Sequence, residues 1–195
     1  YLALWSTRAE WGSEPLGELA RYIAQNNYPP RIRGTLRDAV TYLWVELLAD
    51  SSLWSPAESN EVFQLDAEAL IVGDPGASSE LELADPNVHP LLKIGALLDD
   101  LEFWHQTDRR PEAALEARLE RLRRLNAALT TDADRLAVIS NLKEAQAVFD
   151  RSLEWWSMGQ AVLAEFVQSE TDAEALIRAR EIALAGRDRH STSVG

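Results

Sequence analysis

The combination of side chains best suited to chemistry in this chain is Glu102-Phe103-Trp104-His105. On a helix, a Glu and a His three residues apart share one face, and this spacing supplies two ligands in carboxylate-bridged di-metal bundles. Such a site needs a second Glu-x-x-His pair, but neither His89 nor His190 has an acid three residues before it. We therefore expect His105 to be a hydrogen-bonded residue at the edge of the core. A di-metal carboxylate enzyme remains a remote alternative.

Further carboxylates lie close to this pair in the sequence, at Asp99, Asp100 and Asp108. Calcium requires several oxygen ligands at once, but the ligand spacing of an EF-hand loop is absent from this segment. The expectation is a solvated acidic surface, with no residue assigned as a metal ligand.

Six arginines between residues 109 and 124 form the main basic concentration of the sequence. Nucleic-acid binding would require a basic domain with interleaved aromatic residues. This segment has no aromatic residue, and it is interrupted by Glu112, Glu116 and Glu120. Glu and Arg three or four residues apart attract each other on a helix, so the segment predicts an intrahelical salt-bridge face and no nucleic-acid partner.

Other catalytic signatures are missing from the sequence. There is no Cys, no Gly-x-Ser-x-Gly motif, no phosphate-binding glycine loop and no His-Glu-x-x-His motif. The sequence nominates no catalytic residue, no metal and no cofactor, and we expect a protein that is not an enzyme.

Acidity is concentrated in one part of the chain. The 195 residues have a formal net charge of −13, and residues 51–108 alone have twelve acids and one base, a net charge of −11. Such a chain is repelled by phosphate backbones and anionic membrane surfaces, whereas an acidic face favours a basic protein partner. The candidate contact residues are Glu80, Glu82, Asp85 and Asp108. The alternative is that these acids only keep the domain soluble.

Seven tryptophans are many for this length, and two of them, Trp155 and Trp156, are adjacent. Neighbouring residues on a helix cannot both point into one core, so we expect one of the two to lie in a groove or an interface. The pair is a second candidate partner surface. The alternative is core packing between helical hairpins.

Residues typical of helix starts and helix ends are frequent along the chain. Ser55-Pro56-Ala57-Glu58 has the pattern of a capping box with proline at the first helical position, and residues 157–160 and 171–174 are similar. Pro15, Pro90 and Pro111 are placed to open helices, and Gly186 to cap one. The predicted helices span residues 2–10, 15–26, 34–50, 56–72, 90–106, 111–130, 133–152, 157–169 and 171–185.

The spacing of these helices predicts the architecture. Most helix starts are 21–24 residues apart, which is the length scale of helical-hairpin repeats. We expect an all-α fold of eight to nine helices in antiparallel hairpins, an irregular tetratricopeptide-like solenoid, with a compact helical bundle as the rival. The prediction is one helical domain over residues 1–195, with a loop at 73–88 dividing helices 1–72 from 89–195. The start at Tyr1, without Met or a leader, predicts a fragment excised from a longer protein.

Four segments, taken in order, show a family resemblance: 83–90, 97–105, 109–125 and 155–165. They begin with Leu-Ala-Asp-Pro-Asn-Val-His-Pro and end with Trp-Trp-Ser-Met-Gly-Gln-Ala-Val-Leu-Ala-Glu. Together they resemble the helical, tetratricopeptide-like N-terminal region of large bacterial alpha-2-macroglobulin-like proteins. The tail at 185–195 looks like the link towards the macroglobulin β-domains of that family.

This resemblance implies a periplasmic or cell-envelope parent that traps proteases, with the trapping chemistry in other domains. The family's thioester motif, Cys-Gly-Glu-Gln, has no match here, so no functional residue carries over. The expected function is a non-catalytic helical scaffold or interaction domain that contacts other domains of the same polypeptide or a protein partner. The alternative is a free-standing helical-repeat adaptor that binds a peptide or protein.

Overall fold

A computed structural model describes residues 1–24, 26–74, 76 and 81–192 of the chain. The fold is all-helical, with 68% of residues in helices, and the described residues contain no strand. This confirms the helical class predicted from the sequence. None of the helices described is long and apolar enough to cross a membrane.

The described residues form ten α-helices, linked in places by short 3-10 turns. Their bounds are α1 Leu2–Trp5, α2 Arg8–Trp11, α3 Leu36–Ala49, α4 Pro56–Glu61, α5 Ala67–Val72, α6 Pro90–Thr107, α7 Pro111–Ala128, α8 Asp132–Val148, α9 Trp155–Gln168 and α10 Ala175–Arg189. The 3-10 turns are Leu16–Leu19, Ser51–Leu53 and Val62–Gln64.

Two of the predicted helices are divided by side chains that compete for backbone groups. The predicted helix 2–10 separates into α1 and α2 where the hydroxyls of Ser6 and Thr7 donate to backbone carbonyls three residues earlier, at 3.0 and 3.1 Å. The predicted helix 56–72 separates into α4 and α5 at Asp66, whose carboxylate accepts from the amide of Ala69 at 3.0 Å and starts a new helix.

A third predicted helix, at 15–26, is wrong, because only the 3-10 turn Leu16–Leu19 forms there. The amide of Leu16 donates instead to the carbonyl of Gly34 at 2.8 Å. This hydrogen bond lies beside an isolated antiparallel β-bridge between Pro15 and Thr35. Long-range pairing therefore replaces the helix that the opening proline suggested.

Of the helix caps predicted from the sequence, the one at Ser55 is correct and those at Ser157, Thr171 and Gly186 are wrong. Ser55 forms the expected capping box with Glu58. Ser157 is not a cap: α9 begins two residues earlier, and the Ser157 hydroxyl donates to the carbonyl of Glu154 at 2.7 Å. Ahead of α10, Asp172 rather than Thr171 accepts the backbone hydrogen bond, from Glu174 at 2.9 Å. Gly186 lies inside α10 and not at its end.

The chain divides into two compact units, residues 1–65 with 73–118, and residues 66–72 with 119–195. The loop predicted at 73–88 belongs to the first unit, where the amide of Asp74 donates to Asp99 at 2.9 Å and Lys93 donates to the carbonyl of Asp85 at 2.6 Å. In this unit α3 packs along α6, and α1 and α2 pack on α3.

The second unit is built around α9, whose side chains are mostly buried. Helix α10 presents small residues to it, with Ala175, Ala179 and Gly186 all buried. A Cβ at Gly186 would lie 3.1 Å from the Cβ of Gln160. The short side chains thus allow α9 and α10 to approach closely, and α8 packs on another side of α9.

Candidate functional site

His105 of α6, which the sequence singled out, lies in the first unit and contacts the start of α3. Its Nε2 is 2.8 Å from Oδ1 of Asp38, and both side chains are 1% exposed. The other oxygen of Asp38 accepts from the amide and the hydroxyl of Thr35, at 3.0 and 2.8 Å. Because a carboxylate only accepts hydrogen bonds, Nε2 of His105 carries the donated proton. The expectation of a hydrogen-bonded histidine is confirmed, at a deeper position than the core edge.

Asp38 is a residue that the sequence analysis missed. It completes a capping box at the start of α3, in which its carboxylate bonds Thr35 while the Thr35 hydroxyl accepts from the amide of Asp38. The signal was present as Thr35-x-x-Asp38 before an apolar run. What the pattern could not reveal is that the same carboxylate also holds His105, 67 residues away.

Asp100 forms the second centre of this unit. Arg8 donates to it from Nε and Nη2 at 3.1 and 2.8 Å, and Arg37 donates from Nη2 at 2.6 Å. Burial alone would raise the pKa of Asp100, but the hydrogen bonds and charges of both arginines outweigh it and leave that pKa below its ordinary value. Burial lowers the pKa of Arg37 in turn, against the attraction of Asp100. This carboxylate therefore links α2, α3 and α6.

The guanidinium groups of these arginines also lie over aromatic rings. Arg8 is 3.4 Å from the ring centroid of Trp5, and Arg37 is 4.6 Å from that of Trp104. Cation–π contacts of this kind contribute about 0.5–2 kcal/mol, more when desolvated. The tryptophans here hold arginines in place.

Glu102, the other half of the Glu-x-x-His pair, points to a different partner. Its carboxylate accepts from Nε and Nη2 of Arg118 at 2.9 and 2.7 Å, and from Nε2 of Gln106 at 3.0 Å. Burial raises the pKa of Glu102 and outweighs the opposing effect of Arg118. Glu102 and His105 thus have separate protein partners.

The carboxylates grouped in the sequence are dispersed in the fold. Asp99 accepts from the amide of Asp74, Asp100 binds two arginines, and Asp108 pairs with Arg110 at 2.6 Å. The expected solvated surface is wrong for Asp99 and Glu102, each 6% exposed. Across the part of the chain that the structure describes, no three acidic, His or Cys side chains are grouped so that they could hold a metal ion.

The arginines of α7 are only partly the predicted intrahelical face. Glu120 pairs with Arg124 at 2.7 Å and with Arg123 at 3.7 Å, as predicted. Arg118 instead binds Glu102 of another helix. Arg121 is 1% exposed and lies 3.4 Å from the carbonyl of Val72, and burial lowers its pKa to about 10.

The residues named as partner surfaces have different environments. Trp155 and Trp156 are 2% and 7% exposed, so both indoles belong to the core of the second unit and offer a partner almost no area. The sequence analysis expected one of the two to lie in a groove or an interface, whereas the structure buries both. Glu82 is exposed. Asp85 is half-buried, and its carboxylate accepts a hydrogen bond from the amide of Asn87 at 2.8 Å.

Asp108 is exposed beside Arg110, and Glu80 lies outside the described residues. Asp100 and Glu102, unlike these exposed acids, link different helices of the first unit. Comparison of the chain with protein-family models, with curated proteins and with solved structures found no match in any of the three.

Proposed function

We propose that this chain is a non-catalytic helical scaffold domain that makes protein–protein contacts within a bacterial alpha-2-macroglobulin-like protein. The proposal includes a tetratricopeptide-like arrangement of hairpins and a parent that traps proteases at the cell envelope. It is supported by the resemblance of four segments in order. It is also supported by the use of Glu102 and His105 in internal pairs, Glu102 with Arg118 and His105 with Asp38.

The observation that carries the proposal is an apolar stripe on α3. Leu43 and Leu47 are 49% and 47% exposed. Leu36 and Ala39, half-buried, fall on the same helix face at spacings of three and four residues. We call these four residues the α3 stripe. A surface helix normally turns such a stripe toward a core, so its exposure indicates a contact with another helix or sheet.

The other domains of the same polypeptide are the proposed occupant of the α3 stripe. The experiment begins by reading the coding sequence beyond Gly195 and expressing that remainder as a separate protein. Association with the 195-residue chain is then measured by titration calorimetry. We expect saturable binding that the double substitution Leu43→Glu, Leu47→Glu weakens at least tenfold, because it introduces two charges into an apolar contact.

A matched control replaces Leu176 and Ile177, a pair 66% and 60% exposed on α10, with Glu. This variant should bind as the unaltered chain does. Equal weakening by both variants would reject the α3 stripe as the contact. A stop codon after Gly195, or a remainder without macroglobulin-type β-domains, would reject the proposed parent and leave the free-standing adaptor.

The acidic surface contributes to the same proposal through its charge. Neutral replacements of the four acids predicted from the sequence, Glu80, Glu82, Asp85 and Asp108, should slow association with a basic partner at low salt and have little effect at high salt, because salt screens charges that are more than about 8–10 Å apart. Stopped-flow association rates measure this. Rates that do not change at low salt would show that these acids only keep the domain soluble.

A further inference from the structure

A pocket of about 240 Å³ opens in the second unit between the first two turns of α8 and residues 169–172. At about 30 Å³ per water molecule it has room for roughly eight waters, below the roughly 300–1,000 Å³ of drug-sized sites. The pocket therefore suits a small metabolite.

One wall of the pocket contains an ion-pair clamp made by Arg178. Arg178 of α10 donates to both oxygens of Asp172, at 2.8 and 2.6 Å, and also to Glu170. Asp172 further accepts from the amide of Glu174 at 2.9 Å. Both acids of this wall, Glu170 and Asp172, are thus already paired with Arg178.

The opposite wall is one face of α8, and it combines three kinds of side chain. Leu136, 55% exposed, and Ile139, 3% exposed, form an apolar floor. Asp132 and Arg135 also line the pocket. Within the described residues neither of these two has an ion pair or a side-chain hydrogen bond to another residue.

The spacing of the two charged residues defines a ligand. Asp132 and Arg135 are three residues apart, which on a helix places their Cβ atoms about 5–6 Å from each other. A free carboxylate, a free guanidinium and an apolar floor match a molecule with an ammonium, a carboxylate and an apolar group on one carbon. A peptide end has only one of the two charges, so the free amino acid is the better fit.

We propose that this pocket binds a free apolar α-amino acid. Arg135 takes its carboxylate, Asp132 takes its ammonium, and Leu136 with Ile139 contacts its side chain. The proposal is independent of the α3 stripe and of the parent protein.

The test is titration calorimetry of the whole chain with L-leucine, L-phenylalanine and glycine. We expect leucine or phenylalanine to bind saturably and glycine to bind at least tenfold more weakly. Leucinamide lacks the carboxylate and N-acetyl-leucine lacks the ammonium, so each should also lose at least tenfold. Arg135→Gln and Asp132→Asn should each weaken leucine binding tenfold or more, whereas Arg180→Gln, at an exposed site on α10, should not.

The analogue series tests the pocket even where a variant alters the fold, which circular dichroism reports. Absence of saturable binding for every amino acid would overturn the proposal. Leucinamide binding as tightly as leucine would also overturn it, because the ligand would then be a simple cation. N-acetyl-leucine binding as tightly would do the same, with an anion as the ligand.

Discussion

Gly159 is the residue of α9 that lies against the Gln146 side chain of α8. A Cβ at this position would be 1.8 Å from Nε2 and 2.5 Å from Cδ of Gln146, which is 3% exposed. Gln146 also accepts from Nε2 of Gln160 at 3.1 Å, so its amide has little freedom to move. We expect Gly159→Ala to lower the free energy of unfolding by about 1–3 kcal/mol, measured by urea denaturation.

Two further variants separate this clash from a general effect of alanine. Gly17→Ala is the control, because a Cβ there meets nothing within 4 Å, and it should change stability by less than about 0.5 kcal/mol. Gly159→Ala combined with Gln146→Ala should cost less than the sum of the two single changes. Strict additivity would show that the clash does not exist in solution.

The pKa of Asp172 can be measured directly and tests its ion pair with Arg178. The hydrogen bonds from Arg178 lower the pKa of Asp172 to about 2. A depressed carboxyl pKa means that the stabilising effect of the pair is complete above the unfolded value of about 3.9 and is lost as the pH falls to about 2. We expect the carboxyl carbon of Asp172 to titrate near 2 in an NMR experiment.

The variant Arg178→Gln should raise the midpoint of Asp172 toward about 3.9. Asp50, whose pKa is lowered by hydrogen bonds from Ser52, serves as the internal reference and should not respond. If Asp172 titrates at the same pH with and without the arginine, the clamp on the pocket wall is absent.

At the scale of elements, the pair Glu102–Arg118 joins α6 to α7 within the first unit. Replacing Arg118 with Met leaves a carboxylate that is 6% exposed without its cation, and we expect a loss of about 3 kcal/mol at pH 7. Burial raises the pKa of Glu102 and Arg118 opposes that rise, so without Arg118 this pKa rises further and the variant takes up a proton at a higher pH than the unaltered chain does. The loss should therefore shrink as the pH is lowered from 7 toward 5.

Denaturation of Glu102→Gln supplies the comparison for this pair. It removes the buried charge and leaves Arg118 partly solvated, so its cost at pH 7 should be smaller than that of Arg118→Met. Because this variant has no carboxyl to protonate at position 102, its cost should not shrink as the pH is lowered toward 5. Equal losses for the two variants, or a larger loss at pH 5 than at pH 7 for Arg118→Met, would contradict this account of the α6–α7 link.

Helix ends show which element boundaries can be predicted locally. Ser55 and Glu58 cap α4 as their spacing predicts, since both partners lie within one turn. Gly186 was predicted to end a helix but lies inside α10, because its lack of a side chain serves the contact with Gln160 of α9. A glycine required by packing has the same local pattern as a glycine required by a cap.

At the scale of the whole molecule, the tryptophans report on the core. Trp5, Trp44, Trp155 and Trp156 are between 2% and 7% exposed. We expect native fluorescence that is blue-shifted from free tryptophan and only weakly quenched by acrylamide. A neutral quencher is needed because the net charge of −13 repels iodide.

Urea-unfolded protein gives the reference for full quenching. Native-state quenching close to that reference would contradict burial of the four indoles.

The sequence by itself determined the helical class and the position of most long helices. Helices such as α6 and α7 begin at prolines and follow apolar spacing, and these signals act within a few residues. It also identified Glu102 and His105 as neighbours on one helix face.

Only the tertiary structure decided the partners of the charged residues. Arg8 meets Asp100 across 92 positions, and His105 meets Asp38 across 67. An ion pair between distant residues depends on which helix faces are brought together, and no local spacing records that choice. The pocket beside α8 has the same origin, because its two walls are separate in sequence and meet only when α8 and the loop before α10 pack within the second unit.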